Sequence, residues 1–486
     1  MHPAFHGKLW LAGLLFMPLL GQARPPENQW FTVLLDGRKI GSFESTREAR
    51  GVQIVTVQKL DIVLDRAGSH VAVSNAESST ETADGKPLAF RSVSQLSGSE
   101  TIIEGQLRGG TVDVTTQSAG TRQGRQMPWP RGALLPEGLR LAGMRAGLKP
   151  GTRYRTIAFQ SSSLDAAEVS NVVGAPERVE LPGGKRYLNP IEQTIAFKGA
   201  PMRSRTWVDA DQTVYKLTMP MMGVDLVLLA CDRACATAPN QGSDVFQRTL
   251  MRSPRALSRD ELAGAMRYTL APRGHGAPLA LPETDEQHVD RSGDERIVTI
   301  HRAVISQAQS KPAPEDYLPN DWLQSTAPEI VRLAKQAVAD EKLPRERMQR
   351  IETFVRGYIR AKTLNVGYAS ALEVARKPEG DCTEHAVLVA ALGRALGIAT
   401  QVVDGLAYVP DFSGEEHVFV PHAWVQAWID GHWQSFDAAL SGFDAGHIAL
   451  AIGDGDPWRF YAGLDMLGRI DLRTVEPVAA PTSRPE

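Results

Sequence analysis

The sequence predicts a multidomain α+β protein with an antiparallel β-rich N-terminal domain, a small linking module and a C-terminal domain of helices followed by strands. Three observations predict it. At 486 residues the chain exceeds the roughly 100–200 residues of one domain and has room for about three. Up to about residue 235, short runs of β-branched and aromatic residues are separated by turn dipeptides. From about residue 315 the apolar residues recur at helical spacing instead, and strand-like alternation returns around His422.

Composition narrows the functional classes. With 42% hydrophobic and 22% charged residues, the chain can bury sizeable cores and is neither disordered nor fibrous. The formal charge is −3, from 53 basic and 56 acidic residues that interleave, which excludes a nucleic-acid binder acting through a basic field. There are 3 Cys, so at most one internal disulfide forms and at least one thiol is left over.

The N-terminus suggests export. His2, His6 and Lys8 precede an apolar run, Leu9–Gly21, and Gly21 and Ala23 offer small residues at the −3 and −1 positions of a cleavage site. Residues 1–23 are therefore expected to be a cleavable signal peptide. The alternative, an uncleaved anchor, is disfavoured because 13 residues span only about 20 Å as a helix, short of the roughly 30 Å hydrocarbon core. No Cys follows the run to carry a lipid, and no other stretch approaches 18 apolar residues. No stable membrane insertion is expected after cleavage, and the destination is expected to be oxidising, periplasmic or secreted.

Residues 24–235 read as an antiparallel sandwich or half-barrel. Asp36-Gly37, Asp84-Gly85, Gly109-Gly110 and Gly183-Gly184 separate runs such as Trp30–Leu35, Ile54–Leu64, Thr111–Thr115 and Thr213–Leu217, and such dipeptides suit the positive φ of two-residue hairpins. No catalytic constellation is visible there. Residues 236–314 read as a small mixed module, with a helix over Ser258–Tyr268, a strand over Arg296–His301 and a Pro-rich linker, Lys311–Pro314. In residues 315–475, Thr326 and Glu329 frame a capping box. Behind it Ile330, Leu333, Ala334, Ala337 and Val338 mark one helix face. A second helix follows Pro344, with Met348, Ile351, Phe354, Val355, Tyr358 and Ile359 on one side, a spacing that means core rather than cofactor contact. Residues 476–486 read as a disordered tail.

The leftover thiol stands where a nucleophile would be made. Asp381-Cys382-Thr383-Glu384 is a D-x-x-E capping box, which places Cys382 at the first helical position. The helix runs on to Leu396 and stops at Gly397-Ile398. The positive end of the helix dipole favours thiolate over thiol. The Cys382 N–H lies among the first helical donors, which take no intrahelical acceptor and suit an oxyanion. Gly380 is expected to admit a substrate backbone. A buried, inert Cys at a helix start is equally compatible with this segment alone.

A base and an orienting carboxylate tip the balance. His422–Ile429 alternates like a strand, Asp430-Gly431 signals a type I′ turn, and His432–Asp437 returns. With Ile429 opposite His432, Trp424 faces Asp437 and His422 is a diagonal neighbour of Asp437 on the same face. Diagonal Cβ atoms lie roughly 7–8 Å apart, within reach of a carboxylate-to-imidazole contact. The nucleophile, base and orienter of thiol acyl transfer are thus Cys382, His422 and Asp437.

Gly380–His385, Leu392–Ile398, His422-Ala-Trp424 and Trp433 with Asp437 together resemble the transglutaminase-like superfamily, whose bacterial members include exported papain-like thiol enzymes. The resemblance covers about residues 315–445. It implies a papain-like α+β core and carries a catalytic triad onto Cys382, His422 and Asp437. It also implies an oxyanion donor upstream of the Cys, for which Tyr368 and Ser370 are the candidates. No acidic cluster resembles the calcium sites of animal transglutaminases, and no cofactor or metal is expected.

Other polar residues have plainer readings. His385, one turn from Cys382, is expected to pack or cap locally. His417 ends an acidic loop, Pro410–His417, which either flanks a cleft or is simply solvated. Zinc on Cys382, His385, His417 and His422 matches no usual ligand spacing. Cys231 and Cys235 suit a structural disulfide in an oxidising compartment. The expected function is an exported thiol enzyme acting on amide bonds of a peptide or protein substrate. Hydrolysis is favoured over amine transfer, because water is abundant and no amine site is visible. A protein-glutamine transglutaminase and a non-enzymatic peptide-binding envelope protein are the alternatives. Substrate and oligomeric state are not legible.

Overall fold

The computed structural model describes residues 27–478, apart from 67–68, 97–98, 119, 197–201, 222–223, 243–245, 274–278, 304–308, 365–367, 456–465 and 467. The expected signal peptide, and the tail beyond residue 478, lie outside the described residues. The chain divides into two compact units that meet in sequence between Asp244 and Val245.

The N-terminal unit is one 16-stranded sheet, antiparallel except where Ala133–Leu134 lies parallel to Arg153–Gln160. Eight strands from Glu27–Leu35 to Thr121–Pro128 follow one another as hairpins, and Asp36 and Gly37 take the positive φ values, 52° and 73°, that the first turn needs. The chain then crosses to the opposite edge and returns until Val224–Cys231 pairs with the first strand. Phe90, Ile103 and Val114 share a core with Phe159, although their strands stand in opposite halves of the sheet. The sheet is therefore rolled upon itself. The roll encloses polar groups too. Glu81 accepts the Glu137 and Gly138 N–H groups at 2.8 Å each, capping the helix Pro136–Ala146 whose own N-cap, Leu135, has no side-chain acceptor. Cys231 and Cys235 are joined as a disulfide.

The C-terminal unit holds two principal sheets and the helices Pro328–Val338, Pro344–Tyr358, Ala371–Arg376 and Cys382–Ala395. In the first sheet Glu415–Ile429 lies between Thr400–Phe412 on one side and Met251–Arg252 with His432–Phe436 on the other, and His447–Gly453 extends it beyond Thr400–Phe412. The second runs Gln287–Ser292, Glu295–His301, Ala265–Pro272, Ile470–Pro477. The helix Cys382–Ala395 is buried at every position through Arg394 and packs against both long strands of the first sheet and all three neighbouring helices.

Four local expectations are corrected. The helix placed at Ser258–Tyr268 is a single turn, Arg259–Leu262, capped by Ser258 and Glu261. Gly264 follows, and Met266, Tyr268 and Leu270 alternate into the core of a strand. The next helix starts at Pro328 with Ala327 as N-cap and no side-chain cap, so Thr326 does not cap it; Ile330, Leu333, Ala334 and Val338 are its buried face as expected. The loop Pro410–His417 is instead a hairpin tip turning at Ser413-Gly414 with φ 51° and 84°. Residues 251–301, placed in a linking module, supply strands to both sheets of the C-terminal unit, and the last strand reaches Pro477.

Candidate active site

The Cys382 helix begins as its sequence demands. Asp381 is the N-cap, its carboxylate accepting the Thr383 N–H at 3.0 Å, and Glu384 returns to the Asp381 N–H at 2.9 Å. Cys382 is thus the first helical residue, and at 9% exposure it is buried with a small opening. Glu384 also accepts the Ala369 N–H at 2.8 Å, tying the preceding loop to the helix start. Gly380 has φ +143°, and a Cβ there would overlap the Glu384 side chain. The glycine makes room for Glu384, which corrects the expectation that it admits a substrate backbone. His385 Nδ1–H donates to the Asp381 carbonyl at 2.5 Å, the local cap expected of it. Burial, against that hydrogen bond, lowers its pKa, so the ring is neutral.

The base and its orienter stand on the predicted hairpin. Asp430 and Gly431 have φ 53° and 85°, Ile429 pairs with His432, and Val425 pairs with Phe436. Asp437 follows directly, and its Oδ2 lies 3.0 Å from His422 Nε2, with both residues almost wholly buried. Asp437 Oδ1 accepts the N–H groups of Ala439 at 2.8 Å and Leu440 at 3.3 Å. The Arg356 guanidinium donates to the Asp437 carbonyl at 2.9 Å. Burial pushes the Asp437 carboxyl up, but the His422 charge and the hydrogen bonds from His422 and His447 outweigh it and hold the pKa well below the ordinary value. Asp437 is therefore an ionised acceptor. His422 must carry a proton on Nε2 to meet it, which leaves Nδ1 as the nitrogen able to take another.

Sequence reasoning missed the groups around this pair. His447 Nε2 lies 3.2 Å from the same Asp437 oxygen, and its Nδ1 lies 3.0 Å from Asp444 Oδ1. Burial lowers its pKa, yet the hydrogen bonds and charges of the two aspartates prevail and raise it to about 9. The one available signal was its place in an apolar strand, His447–Gly453, where a polar side chain needs a partner. The short strand His432–Phe436 has an open edge, and three carboxylates satisfy it. Trp433 N–H donates to Asp285 at 2.8 Å, Ser435 N–H to Glu286 at 3.1 Å and Asp437 N–H to Glu352 at 2.9 Å. Burial pushes Glu286 up to about 7 and raises Glu352 as well.

The remaining candidates are placed elsewhere. Tyr368 is buried with its hydroxyl donating to the Gly455 carbonyl at 2.8 Å, so its one phenolic proton is committed. Ser370 is the N-cap of Ala371–Arg376, accepting from Glu373 N–H. Tyr368 thus has its donor engaged, whereas Ser370 serves its cap as an acceptor. His417 lies at a positive φ of 54° with Nδ1 3.3 Å from the Tyr408 hydroxyl. The zinc set considered from the sequence is replaced by another grouping: His422, Asp437 and His447 offer three ligand atoms within 4.8 Å of one another. Each Asp437 oxygen already accepts two hydrogen bonds, so the cluster is satisfied without an ion.

The sequence model of the transglutaminase-like superfamily matches residues 331–438. This span includes Cys382, His422 and Asp437, and it makes this part of the C-terminal unit transglutaminase-like. His447 lies beyond it. No curated protein matches the chain. Among solved structures, a β-barrel-like protein of Brucella abortus is 17% identical, with 43% of this chain and 96% of that one covered at a TM-score of 0.35. A candidate cysteine protease of Cytophaga hutchinsonii is 16% identical over 44% of this chain and 87% of its own, at a TM-score of 0.28. Likenesses at these scores carry no weight below.

Proposed function

We propose that this chain is an exported thiol enzyme that cleaves amide bonds in a peptide or protein substrate through a thioester on Cys382. The observation that carries the reading is the buried His422–Asp437 pair, with His422 on the strand Glu415–Ile429 against which the Cys382 helix packs. Asp437 occupies His422 Nε2, so Nδ1 is the nitrogen that takes the Cys382 proton, and the helix start favours the resulting thiolate. The sulfur attacks the amide carbon, and the C–N bond breaks as His422 passes its proton to the leaving amine. Water then attacks the thioester, losing a proton to His422, and the acid departs as the thiol is restored. An amine in place of water would give transfer instead. We favour hydrolysis because water needs no site of its own. The apolar N-terminal run, and the disulfide between Cys231 and Cys235, support a periplasmic or secreted location.

Cys382 is the cysteine outside the Cys231–Cys235 disulfide, so whole-protein mass reports its alkylation directly. With iodoacetamide near pH 6, Cys382 is expected to react at least about tenfold faster than a free thiol, and His422→Gln to remove the excess. Reaction no faster than a free thiol in the wild type defeats the proposal. Incubation of envelope extracts with an amine probe then separates the outcomes, since new peptide ends mean hydrolysis and incorporated label means transfer. A Cys382→Ala gene that restores a null strain as well as wild type does would favour a non-enzymatic binding role.

A further inference from the structure

From the shared carboxylate we infer that His447 is a positioning residue, a cation that fixes Asp437 for His422 and restrains how readily His422 and Cys382 exchange a proton. The inference rests on the thiol-enzyme reading above and extends it to a residue beyond the matched span.

The geometry leaves His447 little freedom. Its ring is 2% exposed as a side chain and is held at both nitrogens, by Asp437 at 3.2 Å and by Asp444 at 3.0 Å. The Trp424 ring meets it edge-on at 5.2 Å between centroids, and Phe443 lies at 5.1 Å. Trp424 also stacks along His422 at 6.2 Å, so one indole braces both imidazoles. A Cβ at Gly405 would overlap the Ile448 carbonyl of the neighbouring strand and the Trp424 ring; the glycine makes room for both.

The chemical consequence follows from charge. Asp437 Oδ2 receives an N–H from each imidazole. With His447 doubly protonated between two aspartates, the Asp437 charge is already partly answered when His422 takes a proton. The two rings are 5.6 Å apart, close enough for each positive charge to oppose the other. The other charged or titratable groups around the cluster are Asp285 and Glu286 beside the short strand, Glu352 and Arg356 on the helix Pro344–Tyr358, and Asp381 and His385 at the Cys382 helix, with Lys362 near His385. All of them, and Asp444, are retained in His447→Gln, so a change in its pH response belongs to His447.

The test is the rate of Cys382 alkylation against pH in the full-length protein. His447→Gln keeps an N–H donor of similar reach and removes the charge. Its profile is expected to move to higher pH by about one unit, because losing a nearby cation raises both the thiol and the imidazole titrations. Asp444→Asn leaves His447 charged on Asp437 and removes an anion that offsets it, and is expected to move the profile to lower pH by less than His447→Gln moves it up. A His447→Gln profile that superimposes on wild type overturns the inference even if the variant melts earlier, since a structural role moves only the melt. Should His447→Gln fail to fold, an unmoved profile in Asp444→Asn overturns it equally. If wild-type Cys382 reacts no faster than a free thiol, the thiol-enzyme reading fails and the inference falls with it. A reactive wild type with unmoved variants removes the inference alone.

Discussion

Asp437 accepts two imidazole donors and two backbone amides, and this load decides what its loss would do. Asp437→Ala leaves the His447 cation buried beside an apolar methyl group, with Asp444 as its remaining carboxylate partner. Removing one member of a buried charged pair typically costs about 3–5 kcal/mol, so the urea midpoint of the C-terminal unit should fall by one to a few molar. An unchanged midpoint would mean that His447 is neutral in the folded protein. Asp437→Asn is the milder companion. With its oxygen in the Oδ2 place it still accepts from both rings, but its amide then presents a donor where the Ala439 and Leu440 N–H groups also donate.

At the scale of elements, the start of the Cys382 helix is held by Glu384 rather than by the helix alone. One carboxylate, itself fully buried, serves the Asp381 and Ala369 N–H groups together. Glu384→Ala would leave those two donors unmet, costing about 1–3 kcal/mol for each that water cannot reach. It should also loosen the loop before Cys382, so alkylation near pH 6 should slow. Paired unfolding and alkylation measurements check this; a destabilised variant with wild-type Cys382 reactivity would show that the cap does not position the thiol. The three carboxylates along His432–Phe436 show a second principle. An edge strand with unpaired N–H groups invites pairing with another chain, and here Asp285, Glu286 and Glu352 fill that edge while aligning the strand that ends at Asp437.

Across the whole molecule, burial has raised the pKa of several acids, and the sign of their effect is shared. In the N-terminal unit burial lifts Glu77 and Glu81 from 4.5 to about 7 against their hydrogen bonds. The folded unit then holds protons that the unfolded chain has released. That stability is complete below about pH 4.5 and is lost as pH rises through about 7. In the C-terminal unit the His447 contribution is complete below about pH 6.5 and is lost as pH rises through about 9. Asp437 has the opposite sign, contributing above the ordinary carboxylate range and losing that contribution as pH falls. Hydrogen exchange read peptide by peptide, with intrinsic rates corrected, resolves the two units. Strand Ser69–Thr82 and helix Pro136–Ala146 should lose protection between pH 5 and 8, and strand His447–Gly453 between pH 7 and 9. Protection independent of pH in the first pair would show that Glu77 and Glu81 are ionised when buried.

Much of the site was legible because it is local. The capping box Asp381–Glu384 spans one helical turn, and the hairpin around Asp430-Gly431 sets its own register, so Cys382 at a helix start and His422 beside Asp437 follow from short-range geometry. The strand-rich N-terminal zone was legible for the same reason, through turn dipeptides and runs of β-branched and aromatic residues. At Ser258–Tyr268 local reading failed, because a true capping box was followed by a segment whose tertiary partners, not its propensity, made it a strand. Asp285, Glu286 and Glu352 reach the strand that ends in Asp437 from 148, 149 and 85 residues away. His447 arrives on a strand that pairs with Thr400–Phe412 rather than with the hairpin's return arm. The sequence by itself determined the nucleophile's helix position and the His422–Asp437 hairpin, since turn and cap geometry act over a few residues. Tertiary structure alone decided the second histidine and the acids around Asp437, because no local periodicity encodes which distant chains a fold packs together.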